Sequence, residues 1–247
     1  MDGTPNAAAE TSTLIQDTKN PVPDEKDVKP TAGDINKVEI CGRVMRTFSK
    51  PGFASVTIEA EPDVRSKGTV LREGSFPDVI FFGDAADNIE QKAPKGSHVR
   101  ITGHYKVHRP NPDGTLPRHA KPQEICGDEI EPVRSLMEEA FGVPGDTYPS
   151  PYCRVLLTGI LVDVRSPKDR IVALRISVRD AEGRASSVGG TYFTTDAGAV
   201  IQSLGIGWKI ACVGTVESRR NNSGYHENFV ITDIAVQSTN QAPNAVL

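Results

Sequence analysis

Aromatic residues make up only 6% of this 247-residue chain, and tryptophan occurs once. No run of 18 or more apolar residues occurs, which excludes a transmembrane helix. The opening MDGTPNAAAETST has neither a basic nor an apolar leader region, which argues against a secretory signal peptide. The four cysteines (Cys41, Cys126, Cys153, Cys212) form no CxxC pair, and none has a histidine at metal spacing. That argues against a zinc finger and suits a reducing, cytoplasmic compartment. There is no Gly-rich phosphate cradle before a helix, no GxSxG and no HExxH. His98, His104, His108 and His119 follow no zinc spacing, and no group of acids suits a nuclease. The chain reads as non-catalytic, with no cofactor and no metal.

What is present suffices for a folded core: 37% apolar and 24% charged residues. The net charge of −4 is unevenly placed. Residues 1–34 hold three Lys against seven Asp and Glu, leaving 25 residues of each sign in the rest. A neutral body still leaves room for a basic groove, since binding follows local potential.

Composition divides the chain into five parts. Residues 1–34 are polar and acidic and are expected to form a disordered arm. Residues 239–247 form a second tail. Residues 133–149 read as a linker with one short amphipathic helix, on which Val133, Leu136, Met137, Ala140 and Phe141 recur at helical spacing before Gly142, Pro144, Gly145 and Pro149 end it.

The remaining blocks, 35–132 and 150–238, are weak repeats of each other. Gly42 matches Gly159, and Gly103 matches Gly214. Each block predicts three strands, a short helix and two more strands. Val38, Ile40 and Val44 alternate with polar residues, as do Val99, Ile101 and Tyr105. The first short helix is expected to start at Asp84 as N-cap and to end before Pro94, and its counterpart to run from Thr194 or Thr195 to Gly205. Glycines inside long strands allow the coiling that closes a small barrel. The expected fold is all-β: two tandem five-stranded OB-folds, each with a short helix between strands three and four. An unrelated small barrel or sandwich is the alternative.

FPDVIFFGDAADNI, KGSHVRITG and a charged hairpin leading to QEICGDEI make block one similar to the bacterial-type single-stranded DNA-binding proteins. The resemblance covers about 60 residues of block one and reaches block two only through the repeat. It implies a barrel face that stacks bases, with stacking aromatics at Phe76 and Phe82. A third aromatic of the family would fall near Pro110, where this sequence departs. In block two the matching positions are Ser187 and Phe193, so half of that platform is missing. The acidic C-terminal tip of the family is absent, since the chain ends APNAVL. The resemblance also implies a homodimer, which would present four OB-folds.

Binding a single strand needs flat π-faces for bases and cations for phosphates. The hairpin KVHRPNPDGTLPRHAK supplies Lys106, Arg109, Arg118 and Lys121 against one Asp113, together with His108 and His119. The hairpin RTFSKPGFAS supplies Arg46, Phe48, Lys50 and Phe53, with one phenylalanine expected in the core. Phe81 and Phe82 must face opposite sides of their strand, and Phe82 is the expected exposed one. Tyr105 suits core or base contact equally. Block two offers Phe193, and Arg219, Arg220 and Tyr225 around the NNSG turn, while Trp208 is expected to plug a barrel end. The function these features imply is sequence-tolerant binding and protection of single-stranded DNA in replication, recombination or repair. The competing reading is an OB-fold adaptor or structural module that binds a protein.

Overall fold

The computed structural model describes residues 34–61, 64–66, 69–108, 111, 113, 115–116, 121–180, 182–221 and 224–238. At 64–66, 69–72, 219–221 and 224–226 it describes the backbone alone. Of the arm expected over residues 1–34, residues 1–33 lie outside the described residues, as does the tail expected over 239–247.

Strands β1 (Asn36–Lys50), β2 (Phe53–Glu59), β5 (Asp78–Phe82), β6 (His98–Val107) and β7 (Gln123–Pro132) build the first barrel. β1–β2, β2–β5, β6–β7 and β1–β6 pair antiparallel, β5–β7 pairs parallel, and the ring closes. Strands β8 (Tyr152–Lys168), β9 (Ile171–Arg179), β10 (Ala185–Phe193), β11 (Lys209–Asn221) and β12 (Gly224–Ser238) close a second barrel with the same connections. The fold is therefore two tandem OB-folds. The first carries an addition that the sequence reading did not foresee, a hairpin of β3 (Val64–Ser66) and β4 (Thr69–Arg72) between β2 and β5. Among the described residues no helix is long and apolar enough to cross a membrane.

Alternation along the strands fills each barrel. In β2, Ala54, Val56 and Ile58 point inward while Phe53, Ser55 and Thr57 point out. In β9, Val172, Leu174, Ile176 and Val178 do the same. Trp208 packs against the core at a barrel end, as expected of a plug. Gly42 and Gly159 occupy the same site in the two barrels. A β-carbon at Gly42 would lie 2.2 Å from the Glu59 carbonyl oxygen, and one at Gly159 2.3 Å from that of Ser177. Only glycine lets the strands approach this closely.

The barrels are joined edge to edge. The first half of β1 pairs antiparallel with the first half of β8, from Asn36↔Leu157 to Cys41↔Tyr152. One ten-stranded sheet thus runs through both barrels.

The helices differ in detail from expectation. Asp84 is not an N-cap: it lies inside a 3-10 turn, Gly83–Ala86, and the helical turn α1 (Ile89–Lys92) begins after Asn88, which has φ of 61°. In the second barrel α3 (Ala197–Gln202) is capped by Asp196, whose carboxylate accepts from the Ala199 amide at 2.9 Å. The linker helix α2 (Leu136–Phe141) is present, capped by Ser135. Its apolar residues join neither barrel core: Leu136, Met137 and Phe141 are all exposed. Asp34, assigned by composition to the arm, is held in the fold. Its carboxylate accepts from the Arg179 amide at 3.0 Å and pairs with Lys209 at 3.1 Å.

The four cysteines are buried and free. Burial pushes Cys126 and Cys153 up to about 11 and Cys212 up to about 12, so they remain thiols at neutral pH.

Candidate nucleic-acid interface

The outer face of the first barrel is set by strand parity. Arg46, Phe48 and Lys50 share one side of β1, and their cross-strand partners on β2 are Thr57, Ser55 and Phe53. On β5 the next row is Asp78, Ile80 and Phe82. Lys50, Phe53 and Phe82 are therefore direct neighbours across three strands.

This register assembles an aromatic chain. The rings of Phe48 and Phe53 meet edge-on with centroids 6.3 Å apart, and those of Phe53 and Phe82 at 5.7 Å. Phe48 is 54% exposed and Phe82 42%. Lys50 Nζ lies 5.1 Å from the Phe53 centroid, and Lys106 Nζ 4.4 Å from that of Phe82. Arg46 borders the cluster, 3.8 Å from Asp78. Neither Phe48 nor Phe53 is buried, contrary to expectation, because both fall on the outward parity of adjacent strands. The face offers π-surfaces for flat rings with ammonium and guanidinium groups beside them for anions.

Other candidates are placed elsewhere. Phe76 shares the outward line of Phe82 but precedes it by six residues, about 20 Å at ~3.3 Å per residue. It is half-buried and takes no part in the ring cluster. His108 Nε2 lies 2.6 Å from the buried carboxylate of Glu124. Lys121 Nζ lies 3.3 Å from Glu227 and 3.7 Å from Asp78, so it joins the barrels by an ion pair. Tyr105 is core, 3% exposed, against Phe229 of the other barrel at 5.9 Å. Arg109 and Arg118 lie outside the described residues. Arg219, Arg220 and Tyr225 continue the β11–β12 hairpin as backbone, with Arg220 paired to Tyr225, and their side chains lie outside the described residues.

The same register in the second barrel yields a different surface. Lys168, Ile171 and Phe193 repeat the Lys50–Phe53–Phe82 row. Arg165 stands where Phe48 does, Asp163 where Arg46 does, Arg175 where Thr57 does, and Gly189 where Asp78 does. Phe193 is 48% exposed and has no aromatic neighbour in its row.

The barrels also clamp each other reciprocally. Gln123, at the start of β7, accepts from the Gly189 amide at 2.9 Å and donates to its carbonyl at 3.3 Å. At the symmetry-related place Glu227 accepts from the Asp78 amide at 2.7 Å. Burial pushes the Glu227 carboxyl above its ordinary value, against the opposing pull of Lys121. Sequence reasoning missed this pair, since no local pattern marks a side chain that bonds to the backbone of another domain.

Two closed barrels with a helix between their third and fourth strands define a tandem OB-fold protein. The chain is similar in structure to the single-stranded DNA-binding protein from Thermus aquaticus. Against the wild-type protein the TM-score is 0.56 at 14% identity, covering 85% of this chain and 97% of that one. Against a deletion and substitution mutant of it the values are 0.57 and 14%, covering 87% and 100%. At this identity the likeness is one of fold. No family model and no curated protein matches the sequence.

Proposed function

We propose that the chain binds single-stranded DNA with little regard to base sequence, through the outer face of its first barrel. The observation that carries this reading is the edge-to-edge chain Phe48–Phe53–Phe82 with Lys50 and Lys106 against its rings. Bases stack on exposed phenylalanine faces, and phosphates pass the neighbouring cations. Every base has a π-face, and the cluster offers no ordered set of hydrogen-bond readers, so the binding is sequence-tolerant. Arg46 borders the cluster and adds a guanidinium to it, and the sequence assigns further phosphate contacts to Arg109 and Arg118, which lie outside the described residues. Such binding protects single strands during replication, recombination or repair in the cytoplasm.

A titration of labelled oligo-dT, followed by fluorescence polarisation at two salt concentrations, tests this. Saturable binding that weakens with salt is expected. Absence of binding at micromolar protein at low salt would reject the reading and favour a protein-binding module. We further propose a homodimer that presents four OB-folds; sedimentation equilibrium should give the mass of two chains, and a clean monomer at micromolar concentration would reject it.

A further inference from the structure

The second barrel carries a groove beside the row equivalent to Lys50–Phe53–Phe82, at the positions that Arg46, Phe48, Ser55, Thr57, Asp78 and Ile80 hold in the first barrel. It is a cavity of about 260 Å³ over Ala173, Gly189 and Thr191, with Arg165 and Arg175 on its walls. Gln123 of the first barrel closes one end. The groove exists because of register-equivalent exchanges between the barrels. Glycine at 189 removes the side chain that Asp78 places on the first barrel's face. Alanine at 173 and threonine at 191 keep the floor low. Arg165 puts a guanidinium where Phe48 puts a ring, and Arg175 adds one where Thr57 is neutral.

The charges in the groove favour an anion. Arg165 and Arg175 are both exposed. Asp163, one of two carboxylates in the lining, lies 4.0 Å from Arg165 and opposite Arg175 across the ladder, and Arg175 has no ion pair among the described residues. Glu227 also lines the cavity, but it accepts from the Asp78 amide and pairs with Lys121 at 3.3 Å. Lys168 continues the positive row along β8. Among the described residues no aromatic ring lines the cavity itself, and Ile171 stands where Phe53 does, so a base gains little stacking inside the groove. Paired guanidiniums present forked donors that match phosphate oxygens.

We propose that this groove holds the phosphodiester backbone of a nucleic-acid strand, so that the first barrel takes bases and the second takes phosphates. The assignment rests on the nucleic-acid reading of the first barrel. Gln123 joins the two regions: it walls the groove and also opens β7, directly after the hairpin that closes with His108 N–H donating to the Pro122 carbonyl. Gln123 pairs across the ladder with Val107, the residue after Lys106, whose ammonium lies over the Phe82 ring, so the groove begins next to the end of the aromatic chain.

The test uses the full chain and two independent variants, each checked for folding by circular dichroism. Arg165→Ala with Arg175→Ala removes the cations. Gly189→Ile fills the floor without changing charge; its added β-carbon meets only Gln123 Oε1, at 3.8 Å. In salt titrations with oligo-dT, the double variant should flatten the log–log slope by about 1.4, at ~0.7 per lost contact on single strands. That is a loss of roughly 25-fold at 0.1 M salt relative to 1 M. Gly189→Ile should lose affinity in the same direction. Wild-type binding with unchanged affinity and slope in both variants would overturn the proposal while sparing the first-barrel reading. If wild-type protein binds no oligo-dT, the first-barrel reading fails, and inorganic polyphosphate decides the groove. Shifts of the Arg165 and Arg175 Nε–Hε resonances on titration would uphold an anion groove, and unmoved resonances would end it.

Discussion

Val38 pairs across the barrel junction with Val155, its own counterpart in the second repeat. Gly42 and Gly159 are equivalent glycines 117 positions apart, and the β1–β8 register maps Val38 onto Val155 by that same spacing. A pseudo-two-fold axis therefore passes through this pair. It accounts for the reciprocal clamps of Gln123 on Gly189 and Glu227 on Asp78. The two outer faces are thus comparable residue by residue, and their divergence is a difference of side chains on a shared frame.

Phe53 holds the centre of the ring chain, so Phe53→Ala should remove stacking support from both neighbours. Stacking is worth about 1–3 kcal/mol per base, so the expected loss of oligo-dT affinity is roughly tenfold or more, with the salt slope unchanged. Phe76→Ala, remote from the cluster, should cost less. Polarisation titrations of both variants check this order; a larger loss from Phe76→Ala would move the platform.

Gly42→Ala and Gly159→Ala place a methyl group against a backbone carbonyl that cannot step aside. Each should destabilise by at least about 1–3 kcal/mol, the usual range for overpacking. Urea denaturation should show a lower midpoint with an unchanged m-value.

Glu227 titrates above its ordinary value because burial disfavours its charge. The native state then binds more protons than the unfolded chain between the ordinary glutamate value and the raised one. Stability from this group is present below that window and falls as pH rises through it. Glu227→Gln removes the buried charge and imitates the two-bond clamp of Gln123. Thermal melts should show the variant gaining on the wild type as pH rises through the window, and parallel curves would contradict this.

Asp34 caps the Arg179 amide and pairs with Lys209. Asp34→Ala should lower stability by about 1.5–3 kcal/mol, the range for a hydrogen bond to a charged group. Differential scanning calorimetry measures it, and an unchanged melting temperature would show the contact to be dispensable.

Much of the fold was legible because it is written locally. Alternation in Val38–Val44 and in Val99–Tyr105 marks strands with one buried face, and adjacent Phe81 and Phe82 must divide between core and surface. The β3–β4 hairpin had a signal in its β-branched run, Val64, Thr69 and Val70, but it interrupts the repeat used to align the blocks. Phe48 and Phe53 were legible as a ring-bearing hairpin, yet their common outward parity was not, because the β-bulge between Val44 and Arg46 shifts the register of β1 by one residue.

The sequence by itself determined the two repeats, the barrel strands and the glycines on which closure depends, since these rest on periodicity and local sterics. Tertiary structure alone decided which cations are free. Lys121 and His108 stand beside Lys50 and Lys106 as basic candidates in the sequence, but the first pair faces the buried carboxylates Glu227 and Glu124 and the second faces phenylalanine rings. Glu227 meets Lys121 only because the second barrel docks on the first, and Glu124 meets His108 only because β6 and β7 pair within the first barrel; neither meeting is recorded by a local pattern.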